Sequence, residues 1–126
     1  MSNSLVLDAS ALLAVLKGEP GSEVVEPRIN DGVMSAVNWT EVIQKMLGLG
    51  ISHESLRRSL PGIEIAAFLE PHAAVAASML EPTRHLGTSL ADRACLALAA
   101  LRAAPVFTAD RALAAADVGI EIRLIR

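Results

Sequence analysis

The sequence predicts an α/β fold with a parallel sheet covered by helices on both faces. Three observations predict it. Short β-like runs alternate with helical patterns along the chain, the order that builds parallel sheets with crossover helices. The length, 126 residues with 52% apolar side chains, suits one domain with one core and excludes a disordered chain. A late helical stretch is apolar almost all round, so it is expected to be buried on most sides.

The elements follow in order. Leu5-Val6-Leu7 reads as a first strand ending at Asp8, and a helix follows from about Ala9 to Lys17, stopped by Gly18 and Pro20. Ser22 to Ile29 reads as a short helix interrupted by Pro27. Asp31-Gly32 signals a turn before a second strand near Val33 to Ala36. Trp39, Val42, Ile43, Met46 and Leu47 recur at helical spacing and predict one buried face, on a helix beginning near Asn38 and ended by Gly48 and Gly50. Ser52 can cap a helix that runs to Pro61-Gly62, and Ile63 to Ala66 reads as a third strand. Pro71 opens the next helix and Pro82 closes it. Ser89 caps a helix to about Arg102, Val106 to Thr108 forms a fourth strand, and Ala109 to Ala116 is a short helical stretch. Ile120 to Leu124 alternates with period 2, as an edge strand does.

Composition narrows the function. No apolar run approaches the roughly 20 residues of a membrane span, and MSNSLVLD lacks a basic segment followed by a long apolar one, so a cytoplasmic protein without a secretory signal is expected. The single cysteine, Cys95, sits in an alanine-rich helix and reads as a buried, inert thiol. A net charge of -3 and a pI of about 5.5 argue against gripping nucleic acid by a broad basic surface. Trp39, Phe68 and Phe107 are the aromatic residues, too few for a base-stacking platform. A nucleic-acid substrate would have to be held by metal ions and a few arginines.

Four acids stand out. In an open α/β sheet, ligands bind beyond the carboxyl ends of the strands. Asp8 directly follows the first strand, Glu41 lies in the first turn of the helix after the second, and Asp110 lies just past the fourth. Asp92 opens the buried helix after a loop. Each has a local account: Asp8 and Asp110 as N-caps, Asn38…Glu41 and Ser89…Asp92 as capping boxes. For any one acid that account comes first. Four carboxylates gathered together, however, would repel one another and raise each other's pKa, and a divalent cation removes that penalty. Mg2+ and Mn2+ take oxygen ligands and keep several waters. One such ion lowers the pKa of bound water, and a pair about 3.5–4 Å apart can clamp a phosphodiester. This chemistry needs no cluster of His or Cys, and His53, His72 and His85 are scattered, as solvated surface residues are.

The segments LVLDASALLAVLKGEPG (5–21), DGVMSAVNWTEV (31–42), LGTSLADRACLALA (86–99) and VFTADRAL (106–113) resemble the PIN-domain family, and within it the VapC-type toxins of type II toxin–antitoxin systems. The likeness spans nearly the whole chain as a single PIN domain, residues 1–126. It implies an α/β/α sandwich with a central, mainly parallel five-stranded sheet. It implies an endoribonuclease dependent on Mg2+ or Mn2+, with Asp8, Glu41, Asp92 and Asp110 as the metal-holding, catalytic acids. Ser10 and Thr108 match supporting hydroxyl positions that would orient carboxylates or a metal-bound water; local bonding to backbone near a helix start is an equal account of them. The resemblance also implies a cognate antitoxin covering the site, and a homodimer. Arg93 and Arg111 directly follow site acids and are the preferred contacts for RNA phosphates; partnering nearby acids explains them as well.

Rival readings fit less well. A haloacid-type phosphatase wants an aspartate two residues after the first, where this chain has Ser10. A phospho-accepting receiver needs a lysine near a late strand, and the lysines are Lys17 and Lys45. A catalytically silent PIN-like module that binds proteins would be signalled by a missing acid, and none is missing.

Overall fold

The structure is a computed structural model and describes residues 3–126. Its five strands form one sheet in the order β3-β2-β1-β4-β5, every pairing parallel. β1 is Leu5–Leu7, β2 Gly32–Ser35, β3 Glu64–Ala66, β4 Val106–Thr108 and β5 Ile122–Leu124. The three central strands are buried throughout, as apolar runs covered on both faces should be. Along β1 the side chains alternate between two layers. Leu5 and Leu7 enter a core with Leu12, Met34, Val42 and Phe107. Val6 enters the other with Val33, Leu96, Leu98 and Val106. Each leucine or valine taken fully out of water contributes about 1.5–3 kcal/mol. β5 lies at an edge, as its alternation predicted, and is partly exposed.

The helices sort onto the two faces. α1 (Ala9–Lys17) follows β1 and ends at Gly18, whose backbone turns left-handed with φ 64°. α2 covers Ser22–Val25 only. The expected helix to Ile29 gives way at Glu26 to a 3-10 turn, Glu26–Asp31, in which Pro27 occupies the first turn. Proline lacks the amide that would continue the α ladder. α3 (Ala36–Gly48) begins two residues earlier than expected, with Ser35 as its N-cap. Ser35 Oγ accepts from the Val37 amide at 3.2 Å. The Asn38…Glu41 capping box is therefore not formed, and Glu41 lies in the second helical turn. Trp39, Val42 and Met46 are buried as predicted, whereas Leu47 is 56% exposed, rotated past the edge of that face.

α4 (His53–Ser59) is capped by Ser52, and α5 (Glu70–Ser78) starts at the turn that holds Pro71. Pro82 does not close α5; it lies inside a further short helix, α6 (Leu80–Thr83). α7 (Leu90–Arg102) carries a completed capping box, and its stretch from Ala94 to Ala99 is buried. α8 is Arg111–Ala114, shorter at both ends than the Ala109–Ala116 stretch expected. Among the described residues, no helix is long and apolar enough to cross a membrane.

The connectivity decides where a site can lie. From β1 the chain builds outward through β2 to β3, then returns to place β4 on the other side of β1. The crevice between β1 and β4, at their carboxyl ends, is the topological switch point where such sheets bind ligands. Leu7 is in register with Phe107, so Asp8 and Thr108 emerge side by side at that crevice.

Candidate active site

Asp8 leaves β1 and caps α1: its Oδ1 accepts from the Ala11 amide at 2.9 Å. The same oxygen accepts from the Ser10 hydroxyl at 2.7 Å, and Oδ2 accepts from the Thr108 hydroxyl at 2.6 Å. Each hydroxyl has one proton, and both protons are committed to Asp8. Their own oxygens in turn accept backbone amides. Ala109 N donates to Ser10 Oγ and Asp110 N to Thr108 Oγ1, each at 2.9 Å. The ends of β1 and β4 are thus tied to the starts of α1 and α8 by one connected network. Asp110 then caps α8, Oδ1 accepting from the Ala112 amide at 2.9 Å. Asp92 caps α7, Oδ2 accepting from the Ser89 amide at 2.9 Å.

These local roles coexist with a shared one. Asp8, Glu41, Asp92 and Asp110 all line one cavity of about 120 Å³, together with Ser10 and Asn38. The volume suits an ion with several waters. Thr108 is fully buried behind Asp8. Burial pushes the Asp8 carboxyl above its ordinary range, against the hydrogen bonds from Thr108, Ser10 and Ala11, and the Asp92 charge adds to the rise. The Glu41 carboxyl is raised too, first by desolvation, then by the charges of Asp92 and Asp8, with Lys45 opposing. The field reaches beneath the cavity: the buried Cys95 thiol is held well above its usual range by burial and by Asp8, Asp92 and Glu41.

The donor set fits a hard divalent cation. Every ionisable group on the cavity wall is a carboxylate, and no imidazole or thiol lines it. Among the described residues no group of three or more His, Cys, Asp or Glu side chains is close enough together to hold a metal ion by itself, as a closed cage would. An ion held by one or two carboxylates and otherwise by water needs no such cage.

Asn38 was not singled out from sequence, because the capping pattern explained it too easily. One turn before Glu41 on the same helical face, it belongs to the cavity wall. It is 2% exposed, its Nδ2 donates to the Ala91 carbonyl at 3.1 Å, and its Oδ1 is buried with no hydrogen-bond partner among the described residues. A buried amide oxygen left so costs about 1–3 kcal/mol.

The two arginines stand apart. Neither Arg93 nor Arg111 lines the cavity. The Arg93 guanidinium donates to the Thr88 carbonyl at 3.0 Å, and Arg111 is exposed at the start of α8. The histidines also lie outside it: His53 packs edge-on to Trp39, and His72 Nδ1 accepts from the Leu69 amide. A larger cleft, about 440 Å³, opens between Ala103–Pro105 and Val118–Glu121, at the opposite ends of the strands. Glu121 is the one ionisable residue on its wall.

Comparison with known proteins agrees with this architecture. The sequence model described as PIN domain matches residues 5–119. The chain is similar in fold to a solved toxin–antitoxin complex from Klebsiella pneumoniae, at 18% identity over 98% of both chains and a TM-score of 0.78. It is similar to FitAcB from Neisseria gonorrhoeae, at 25% identity over 96% of this chain and 97% of that one, with a TM-score of 0.72. It is also similar to DNA-bound VapBC from Salmonella typhimurium, at 17% identity over 98% of both chains and a TM-score of 0.72. A comparison with curated protein sequences returns no match. A matched stretch of this length, over a five-stranded parallel sheet with acids gathered at its switch point, assigns the chain to the PIN-domain family.

Proposed function

We propose that this chain, acting as a single PIN domain, is a metal-dependent endoribonuclease that hydrolyses RNA phosphodiester bonds as the toxin of a toxin–antitoxin pair. The observation that carries the proposal is the gathering of Asp8, Glu41, Asp92 and Asp110, without imidazole or thiol, around one cavity at the β1/β4 switch point. PIN-domain proteins are generally nucleases, which supports the reaction class. The likeness to solved toxin–antitoxin complexes supports a cognate antitoxin as partner. A homodimer and a cytoplasmic location belong to the same reading.

In this reading one or two of the four carboxylates would hold Mg2+ or Mn2+ directly and the others through its waters. Bound there, the ion supplies a low-pKa water and neutralises charge on the phosphate oxygens. The chain's own contribution is orientation. Ser10 and Thr108 fix both oxygens of Asp8, and the N-terminal turns of α7 and α8 fix Asp92 and Asp110. In the hydrolysis, water oxygen bonds to phosphorus, the bond from phosphorus to the leaving ribose oxygen breaks, and that oxygen takes up a proton. Arg93 and Arg111 flank the cavity in sequence and are proposed, after reorientation, to meet neighbouring phosphates.

The test is cleavage of total bacterial RNA by purified protein with Mg2+, with Mn2+ and with chelator, beside Asp92→Asn. Asn keeps an oxygen to accept the Ser89 amide, so the variant is expected to fold. Discrete metal-dependent fragments, reduced at least about a hundredfold in the variant, are the expected result. Absence of cleavage from folded, antitoxin-free protein under every metal would leave the silent protein-binding module as the better reading.

A further inference from the structure

The geometry points to Asn38 as a positioning residue of the metal site, its Oδ1 accepting a hydrogen bond from a water held in the cavity by a divalent cation. The inference rests on the metal-dependent reading above and adds an amide oxygen to its four carboxylates. Three observations carry it. Asn38 lines the acid cavity, one helical turn from Glu41. The residue is 2% exposed, and its Oδ1 has no partner among the described residues. Buried amide oxygens are nearly always paired, so an unpaired one on a polar cavity wall marks a place for a donor.

The orientation of the amide follows from chemistry. Nδ2 donates to the Ala91 carbonyl at 3.1 Å, and a flipped amide would set two acceptor oxygens against each other. Oδ1 is therefore the atom left without a partner on a side chain that lines the cavity. The carboxylates around it are acceptors when ionised and offer it no proton. Water polarised by a cation is the donor that suits it, and that water is also shared with the acids. Because the anchor is the carbonyl of the residue before Asp92, Asn38 also ties α3 to the first turn of α7. Glu41 and Asp92, carried on those two helices, are thereby held at a fixed separation.

Mn2+ binding to the whole protein, measured by calorimetry and by Mn2+ electron paramagnetic resonance, tests this without reference to cleavage. Wild type, Asn38→Leu and Asn38→Asp are compared, with thermal unfolding of each in chelator. Asn38→Leu removes the unpaired oxygen along with the Ala91 bond and fills the same volume. It is expected to weaken Mn2+ binding about 10- to 100-fold, the usual loss for a residue that supports metal ligands from behind, while its unfolding temperature in chelator stays near wild type. Asn38→Asp keeps an acceptor oxygen but loses the amide that donates to the Ala91 carbonyl; it is expected to bind Mn2+ more tightly than Asn38→Leu and to unfold earlier than wild type in chelator. Unchanged Mn2+ affinity in a folded Asn38→Leu would overturn the role of Asn38 and leave the metal reading standing. Failure of wild type to bind Mn2+ would overturn the metal reading and this inference with it. If Asn38→Leu does not fold, Asn38→Ala takes its place, and Mn2+ binding by Asn38→Asp no tighter than by the variant without the oxygen overturns the role of Oδ1.

Discussion

At the scale of single residues, Asp8 is at once the N-cap of α1 and part of the acid cavity's wall. It caps α1, accepts three hydrogen bonds and faces a cavity with three other acids. Burial nevertheless holds its pKa above the ordinary carboxylate value, so the ionised form is carried at a cost in stability. The sign follows directly. The cost is complete above the folded pKa and vanishes as pH falls below the ordinary value of 3.8. Asp8→Asn retains the capping oxygen, and Thr108 can turn to accept from the new amide. In chelator at neutral pH the variant is therefore expected to unfold at the wild-type temperature or higher, with the advantage shrinking toward pH 3–4, roughly the range where Asp8 protonates in the unfolded chain. Calorimetric melting across pH checks it. A fall of more than about 4 °C at neutral pH, roughly 1 kcal/mol for a domain this size, would mean that the hydrogen bonds to the charged form outweigh desolvation.

At the scale of elements, α7 is closed on itself at one end and tied to the sheet at the other. The N-terminal end carries the Ser89–Asp92 capping box, and the C-terminal end carries Arg102, which pairs with Glu64 on β3. The pair is bidentate, with Arg102 Nη1 3.1 Å from Glu64 Oε1 and Nη2 on Oε2. It lowers the Glu64 pKa through hydrogen bonding to Arg102. A lowered folded pKa contributes stability that is present above the unfolded value, 4.5, and is lost as pH falls through the folded one. Both side chains are substantially exposed, so solvent screening keeps the contribution to about 0.2–1 kcal/mol. Glu64→Gln is expected to reduce stability by that amount at pH 7, and by less at about pH 4, below the unfolded value of 4.5, where the ionised pair begins to be lost. Denaturant melts at the two pH values decide it, and an equal loss at both would assign the effect to packing instead.

At the scale of the whole molecule, the acid site is built on the buried centre of the protein. Cys95 lies within α7, fully buried, where apolar surroundings and the nearby acids hold its thiol protonated. Thiolate is the reactive form, so native Cys95 is expected to resist thiol-reactive dye until the domain opens. Reaction should track global unfolding, rising with denaturant along the same midpoint as circular dichroism. Rapid labelling of folded protein would show that the middle of α7 opens independently of the rest. Such opening would leave the acids without the rigid support that orienting a metal requires.

Much of the molecule was determined by the sequence alone. Alternating strand and helix patterns, with apolar central runs, specify a parallel sheet, because only that layout buries both faces. Asp8, Glu41 and Asp110 were also visible, since strand-to-helix junctions at one sheet edge are set by topology, whereas Asp92 follows a loop and its approach to that edge was inferred. Boundaries were less legible. Asn38 resembles an N-cap, yet Ser35 takes that place because its backbone is already extended at the end of β2. Pro27 turned an expected helix into a 3-10 turn, and Leu47 fell outside the predicted buried face. Only the tertiary structure decided that the four acids share one cavity with Asn38, and that Arg93 and Arg111 lie outside its wall. The physical reason is that local pattern records what a residue does along its own helix or strand. Which side chains meet across elements depends on packing between α3, α7 and the ends of β1 and β4, separated by dozens of residues in the chain.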